Sequence, residues 1–135
     1  MKRWVIAFAT ALTFLGSLWI GQFLPKAVAA DENPPVHHII LFDLKPTTSE
    51  SDLAAMMTDA KDLLAKIPGV LELEMGRKAL DNRDVHIKDY DVGLYIKLSK
   101  LSDLEVYILS PQHQEFIRRN RFKWDTFKMI DFYGN

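Results

Sequence analysis

The segment Val36–Leu44 constrains the fold most, because both faces of the strand that it predicts are apolar. Its sequence, VHHIILFDL, is rich in β-branched and apolar residues, and Pro46 follows shortly after it. Successive side chains of a strand point to opposite faces, so His37 and His38 face opposite ways. A strand of this kind belongs inside a sheet that is covered on both sides.

Helical and extended patterns then alternate along the chain. Apolar residues at helical spacing follow a cap at Thr48 or Ser49 and continue to Ile67. Strands are predicted at 70–75, 90–98 and 126–133, with an irregular loop or a long hairpin over 76–89. A second helix begins at 102–103, breaks at Ser110-Pro111 and resumes to about residue 120. The order β-α-β-β-α-β predicts a ferredoxin-like α+β fold, a four-stranded antiparallel sheet with two helices on one face.

The second face of this sheet needs a cover of its own. Two helices cover one face, whereas the strand at Val36–Leu44 is apolar on both. An identical subunit packed sheet to sheet is the simplest cover, and it closes a two-fold homodimer. We therefore expect a dimeric α/β barrel.

Residues 1–30 have the features of an export signal. A basic start, Met1-Lys2-Arg3, precedes a long apolar stretch. Ala27-Val28-Ala29 has the small-x-small pattern of a cleavage site, with Val28-Ala29-Ala30 as the alternative. The apolar stretch is also long enough for an uncleaved N-terminal anchor. Residues 31–35 are a polar lead-in, and 36–135 form the domain. The expected location is periplasmic or secreted, or membrane-anchored with the domain outside the cytoplasm.

Charge and composition exclude several classes of function. Of the 17 basic residues three lie before residue 31, and all 18 acidic residues lie after residue 30, so the domain has a net charge of −4. Such a domain lacks the basic face that nucleic-acid binding needs. The chain has no cysteine, no glycine-rich phosphate loop and no histidine pair at metal-binding helical spacing. We predict neither a metal nor a cofactor.

The break at Ser110-Pro111 fixes a histidine near the start of a helix. Ser110 is a favourable N-cap, and Pro111 is favourable at the first helical position. His113 therefore lies in the first turn, where the helix dipole lowers its pKa, and Tyr107 lies just before the break. The arrangement fits either acid–base chemistry or a packed structural corner.

Several motifs together resemble the stress-responsive dimeric α/β barrel domain family. They occur in the family's order: VHHIILF at 36–42, IPGV at 67–70, Gly76-Arg77, Tyr107, SPQHQEF at 110–116 and the closing Ile130-Asp131-Phe132. The resemblance implies the ferredoxin-like fold and a sheet-to-sheet homodimer. It does not imply one function, because members include plant stress proteins and a plant polyketide cyclase, olivetolic acid cyclase.

The cyclase resemblance implies roles for several residues of this chain. It implies that His113 is a general base, that Tyr107 is its partner and that Asp131 supports His113. It also places His38 in a ligand pocket. A further pocket histidine of the cyclase falls at about Val92, so that polar group is missing here.

Two main hypotheses follow, with a third from fold analogy. The first is an exported, noncatalytic homodimer with a role in stress that binds a small apolar ligand. The second is a cofactor-independent cyclase, isomerase or lyase, in which His113 removes a proton and Tyr107 bonds the developing oxyanion. The third is an oxygenase, which is suggested only by the shared barrel architecture.

Overall fold

The computed structural model describes residues 33–135, so the predicted signal segment lies outside the described residues. The elements are β1 (Val36–Leu44), α1 (Glu50–Leu63), β2 (Val70–Arg77), β3 (Val92–Leu98), α2 (Leu101–Leu109), α3 (Pro111–Asn120) and β4 (Trp124–Tyr133). Short 3₁₀ turns follow α1 and α3. Over this part of the chain, no helix is both long and apolar enough to cross a membrane.

The sheet has the strand order β2-β3-β1-β4, and every neighbouring pair is antiparallel. Strand β1 therefore lies inside the sheet, as its two apolar faces predict. The helices pack on one face only, which confirms the predicted ferredoxin-like fold. Strand β3 begins at Val92, two residues later than predicted, and β4 begins at Trp124, two residues earlier.

Helix α1 and the turn after it follow directly from local sequence. Ser49 Oγ accepts a hydrogen bond from the Asp52 amide at 3.1 Å, while the Asp52 carboxylate accepts from the Ser49 amide at 3.0 Å. This reciprocal capping box satisfies two free donors at the start of the helix. After the helix, Gly69 adopts a φ of +89°, a conformation that favours glycine.

The predicted break between α2 and α3 is present, and Ser110 links the two helices. Its Oγ donates to the Tyr107 carbonyl at 2.8 Å and accepts from the His113 amide at 3.1 Å. One buried hydroxyl thus ends α2 and caps α3. It also fixes Tyr107 and His113 relative to each other.

The two faces of the sheet differ in how they are covered. The helix side holds the core, with alternate residues of β1 and β3 buried. On the other side, the alternate residues His37, Ile39 and Leu41 of β1 are only half-buried. Ile130 and Phe132 of β4 are 46% and 49% exposed on that same open face.

Candidate functional site

A cavity of about 120 Å³ lies between the helix side of the sheet and helices α2 and α3. Strands β1, β3 and β4 and both helices contribute the lining: His38, Ile40, Phe42, Leu94, Tyr107, His113, Phe116, Ile117, Trp124, Phe127 and Met129. Phe127 and Met129 of β4 are 50% and 48% exposed, so the cavity reaches the surface beside that strand. The lining includes no Lys, Arg, Asp or Glu side chain.

His113 and Tyr107 meet in this cavity, as the Ser-Pro break predicts. Their rings are in edge-to-face contact, with centroids 4.9 Å apart. Burial raises the pKa of the Tyr107 phenol, which therefore stays protonated and can donate a hydrogen bond. Burial also lowers the pKa of His113, partly opposed by the Ile108 carbonyl and reinforced by His38, so the imidazole is neutral near pH 7.

One ring nitrogen of His113 is left without a partner. Its Nδ1 atom is buried and makes no hydrogen bond within residues 33–135. An unpaired buried polar group destabilises a protein by about 1–3 kcal/mol. A packed corner histidine would be expected to have its ring nitrogens bonded, so this atom is a candidate contact for a bound molecule.

His38 and Asp131 form the second polar group of the site. His38 Nδ1 lies 2.6 Å from Asp131 Oδ1, with His38 buried and the carboxylate 42% exposed. A carboxylate accepts hydrogen bonds, so Nδ1 of His38 is the donor in this pair, and Nε2 is the ring nitrogen that remains for another partner. His38 also contacts Tyr107 edge to face at 5.8 Å, so the tyrosine ring lies against both histidines.

The expected support of His113 by Asp131 is therefore corrected: Asp131 is bonded to His38. The cause is the strand register, which pairs His38 of β1 directly with Asp131 of β4. Side chains at such paired positions lie on the same face and within reach of each other. His113 comes from α3 and contacts the tyrosine between them instead.

The expectation for Val92 also needs correction. Val92 is fully buried on the helix side of β3, but it is not among the residues that line the cavity. It pairs with Phe42 at the end of β3, whereas Leu94 pairs with Ile40 and forms part of the wall.

Trp124 lines the cavity, although no pattern in the sequence predicts it there. It is 1% exposed and its ring packs on Phe42 at 4.8 Å, yet its Nε1 makes no hydrogen bond within the described chain. Alternation along β4 from Phe127 would turn residue 125 inward. A register shift at Asp43 and Leu44 pairs Leu44 with Trp124 instead, and so turns the indole towards the helix side.

The site has the groups for binding and proton transfer but not for metal binding. Over residues 33–135 no three His, Cys, Asp or Glu side chains are placed to hold an ion. The polar residues of the lining are Tyr107, Trp124 and the two histidines His38 and His113, set in an apolar wall. These groups suit an uncharged molecule that carries at least one polar atom.

Solved structures with this fold come from bacteria and plants. A dimeric ferredoxin-like protein of unknown function from Thermobifida fusca aligns with a TM-score of 0.65 at 17% identity, covering 78% of this chain and 95% of that one. A ferredoxin-like protein of the Dabb family from Mesorhizobium loti aligns with a TM-score of 0.63 at 23% identity, and the alignment covers 76% of this chain and 98% of that one. The hydroxynitrile lyase of Passiflora edulis aligns with a TM-score of 0.65 at 17% identity, and the alignment covers 76% of this chain and 95% of that one. At these identities the likeness shows the fold alone.

Sequence comparison gives the family directly. No match is found among curated proteins. The model of the stress responsive A/B barrel domain matches residues 36–133, which is the whole of the sheet and its helices. The chain belongs to the stress responsive A/B barrel domain family.

Proposed function

We propose that this protein binds a small, uncharged, mostly apolar molecule in the cavity, and that it works as an exported homodimer. The observation that carries the proposal is an apolar cavity lined by His113, a residue whose buried Nδ1 has no hydrogen-bond partner in the described chain. Burial keeps this imidazole neutral, so it can accept or donate one hydrogen bond without placing a charge in an apolar space.

Size and charge narrow the ligand class. An engineered protein cavity of about 150 Å³ holds benzene, so a cavity of about 120 Å³ suits a ring of similar size. The lining has no Lys or Arg side chain to neutralise a carboxylate or a phosphate. Burial of an unpaired charge is strongly unfavourable, which favours a neutral ligand.

Fluorescence titration of residues 31–135 tests this proposal. The matched structures are covered almost fully by this region, so it corresponds to a complete chain of the fold. Trp124 is its only tryptophan, and it lines the cavity. We expect cyclohexanone to give a saturable change in its emission. Ile117→Phe fills part of the cavity and should abolish the change, whereas Ile108→Phe, at a 41% exposed position outside it, should not. A response that never saturates in the unaltered domain would contradict the proposal.

The homodimer is supported by the uncovered face of the sheet. Ile39, Leu41, Ile130 and Phe132 place apolar surface there, and the structural relatives from Thermobifida fusca and Bacteroides fragilis are described as dimeric. Sedimentation of residues 31–135 should give twice the monomer mass, and Ile39→Glu should give the monomer. Export is tested by the mass of the protein recovered from cells, which should lack residues up to Ala29 or Ala30.

Proton transfer is a second candidate function, favoured by the bond between His38 and Asp131. A carboxylate on Nδ1 orients the imidazole and leaves Nε2 as the base, as in hydrolytic triads. His38 would then remove a proton next to a carbonyl, while the Tyr107 phenol donates to the enolate oxygen. Cleavage of a hydroxynitrile, the activity in the name of the Passiflora edulis structure, is a further reaction to test.

Deuterium exchange tests this second candidate without a known substrate. In D₂O, His38 would take an α-proton of cyclohexanone and the enolate would take a deuteron back, which NMR detects as loss of the α-proton signal. His38→Ala should lower the enzyme-dependent rate about 10²-fold or more. Asp131→Asn should also lower it, and Asp125→Asn, on the same strand, should leave it unchanged. Exchange no faster than in buffer would exclude this function for ketones while leaving ligand binding intact.

A further inference from the structure

We infer that the indole N–H of Trp124 is the hydrogen-bond donor that selects the ligand, and that the ligand is a small neutral ketone or aldehyde. This inference rests on the proposed binding function and specifies its chemistry. It starts from a second unpartnered polar atom, Trp124 Nε1, which is independent of His113 Nδ1.

The indole is held in place by contacts that do not involve its own N–H. The Lys123 carbonyl, just before it, accepts from the Lys45 amide at 3.0 Å and from Thr48 Oγ1 at 2.6 Å. The Trp124 carbonyl accepts from Arg121 Nη1 at 2.9 Å. Phe42 and Phe116 then pack against the ring, with centroids 4.8 Å and 6.4 Å away. The donor is thus preorganised before any ligand binds.

A tryptophan at this position is unfavourable unless something accepts its N–H. The residue is 1% exposed, so bulk water does not reach it freely, and its N–H has no acceptor within the described residues. A phenylalanine would fill apolar space without this penalty. Trp124 lines the cavity, so the acceptor that we infer for its N–H is an atom of a molecule bound there.

The kind of acceptor follows from the other groups of the cavity. Two residues of the lining carry donors, the Trp124 indole N–H and the protonated Tyr107 phenol, and the lining contains no Lys or Arg. An anion would be left without a counter-charge, whereas a carbonyl oxygen has two lone pairs and no charge. A ketone or aldehyde on a small apolar ring or chain therefore matches both the donors and the apolar wall.

Two ligands of nearly the same shape test the inference, cyclohexanone and methylenecyclohexane. Both are titrated into ¹⁵N-labelled residues 31–135 and followed by amide NMR. The spectrum contains one indole N–H signal, from Trp124. We expect cyclohexanone to move this signal downfield and to bind about tenfold more tightly than methylenecyclohexane, the factor for one hydrogen bond in a buried site. The hydrocarbon should leave the signal in place.

Trp124→Phe completes the test, because it removes the donor and keeps an aromatic ring. It should remove the preference of about tenfold for cyclohexanone, so that the two compounds bind the variant with nearly equal affinity. Equal affinity of both compounds for the unaltered domain, with the indole signal unmoved, would overturn the inference while the proposed binding function stands. Binding of neither compound would overturn the binding function as well. If the variant does not fold, the indole shift and the affinity ratio of the unaltered domain still decide.

Discussion

Replacing Asp131 measures what the bond to His38 contributes to the free energy of unfolding. The acceptor and donor are 2.6 Å apart, and the histidine is buried. A hydrogen bond to a charged group contributes about 1.5–3 kcal/mol. Because the carboxylate is 42% exposed, solvent screens part of this contribution. We therefore expect Asp131→Ala to lower the free energy of unfolding by about 1–2 kcal/mol. Each kcal/mol shifts the Tm of a domain of this size by about 4–8 °C, so the Tm should fall by about 5–15 °C.

The assay is thermal unfolding of residues 31–135 at pH 7, followed by circular dichroism. Asp131→Asn keeps an oxygen acceptor for Nδ1–H of His38, so it should lower the free energy of unfolding by about half as much as Asp131→Ala. Asp125→Ala is the control, since Asp125 is exposed on the same strand and its side chain makes no hydrogen bond or ion pair in the described region. A Tm of Asp131→Ala equal to that of the control would refute the view that this pair holds β1 and β4 together at the site.

Three further predictions concern the frame around the cavity. Gly69→Ala should destabilise the domain by about 1–2 kcal/mol or more, because φ is +89° and a Cβ would lie 2.6 Å from the Asp103 side chain. Urea unfolding measures the loss in the free energy of unfolding. Ser110→Ala removes the hydroxyl that links Tyr107 to His113, and it should lower the free energy of unfolding by about 1–2 kcal/mol in the same assay. Ser110→Thr should recover part of this loss. Burial lowers the pKa of His113 below its ordinary value of 6.5, so the unfolded chain binds that proton first as the pH falls. The contribution of His113 to the free energy of unfolding should therefore be constant above about pH 6.5. It should decrease as the pH falls from there towards the pKa of His113 in the folded protein, and His113→Phe should reduce this slope.

Local patterns in the sequence were sufficient for the elements and their order. The period-2 and helical spacings locate β1 and α1, and the Ser110-Pro111 dipeptide locates the helix break, because each depends on neighbours in the chain. The same dipeptide brings Tyr107 and His113 together, so this half of the site was predictable. The family motifs then constrained the topology of the sheet.

The other half of the site depends on pairing between distant strands. Asp131 meets His38 because of the β1–β4 register, which a single sequence does not encode locally. Trp124 faces inward only because of the register shift at Leu44. Lys123 ends a basic stretch, residues 118–123, whose composition is typical of a solvated helix end, yet its ammonium is buried and donates to the Asp52 carbonyl at 2.8 Å. That contact joins residues 71 positions apart, beyond the reach of pattern analysis.

A crystal structure of residues 31–135 grown with cyclohexanone tests the central claim most directly. We predict one ketone per subunit inside the cavity, with its oxygen within hydrogen-bond distance, about 2.7–3.2 Å, of Trp124 Nε1. The bond between His38 and Asp131 should be unchanged. A cavity filled by protein side chains, with His113 Nδ1 and Trp124 Nε1 both bonded to protein groups, would contradict the account.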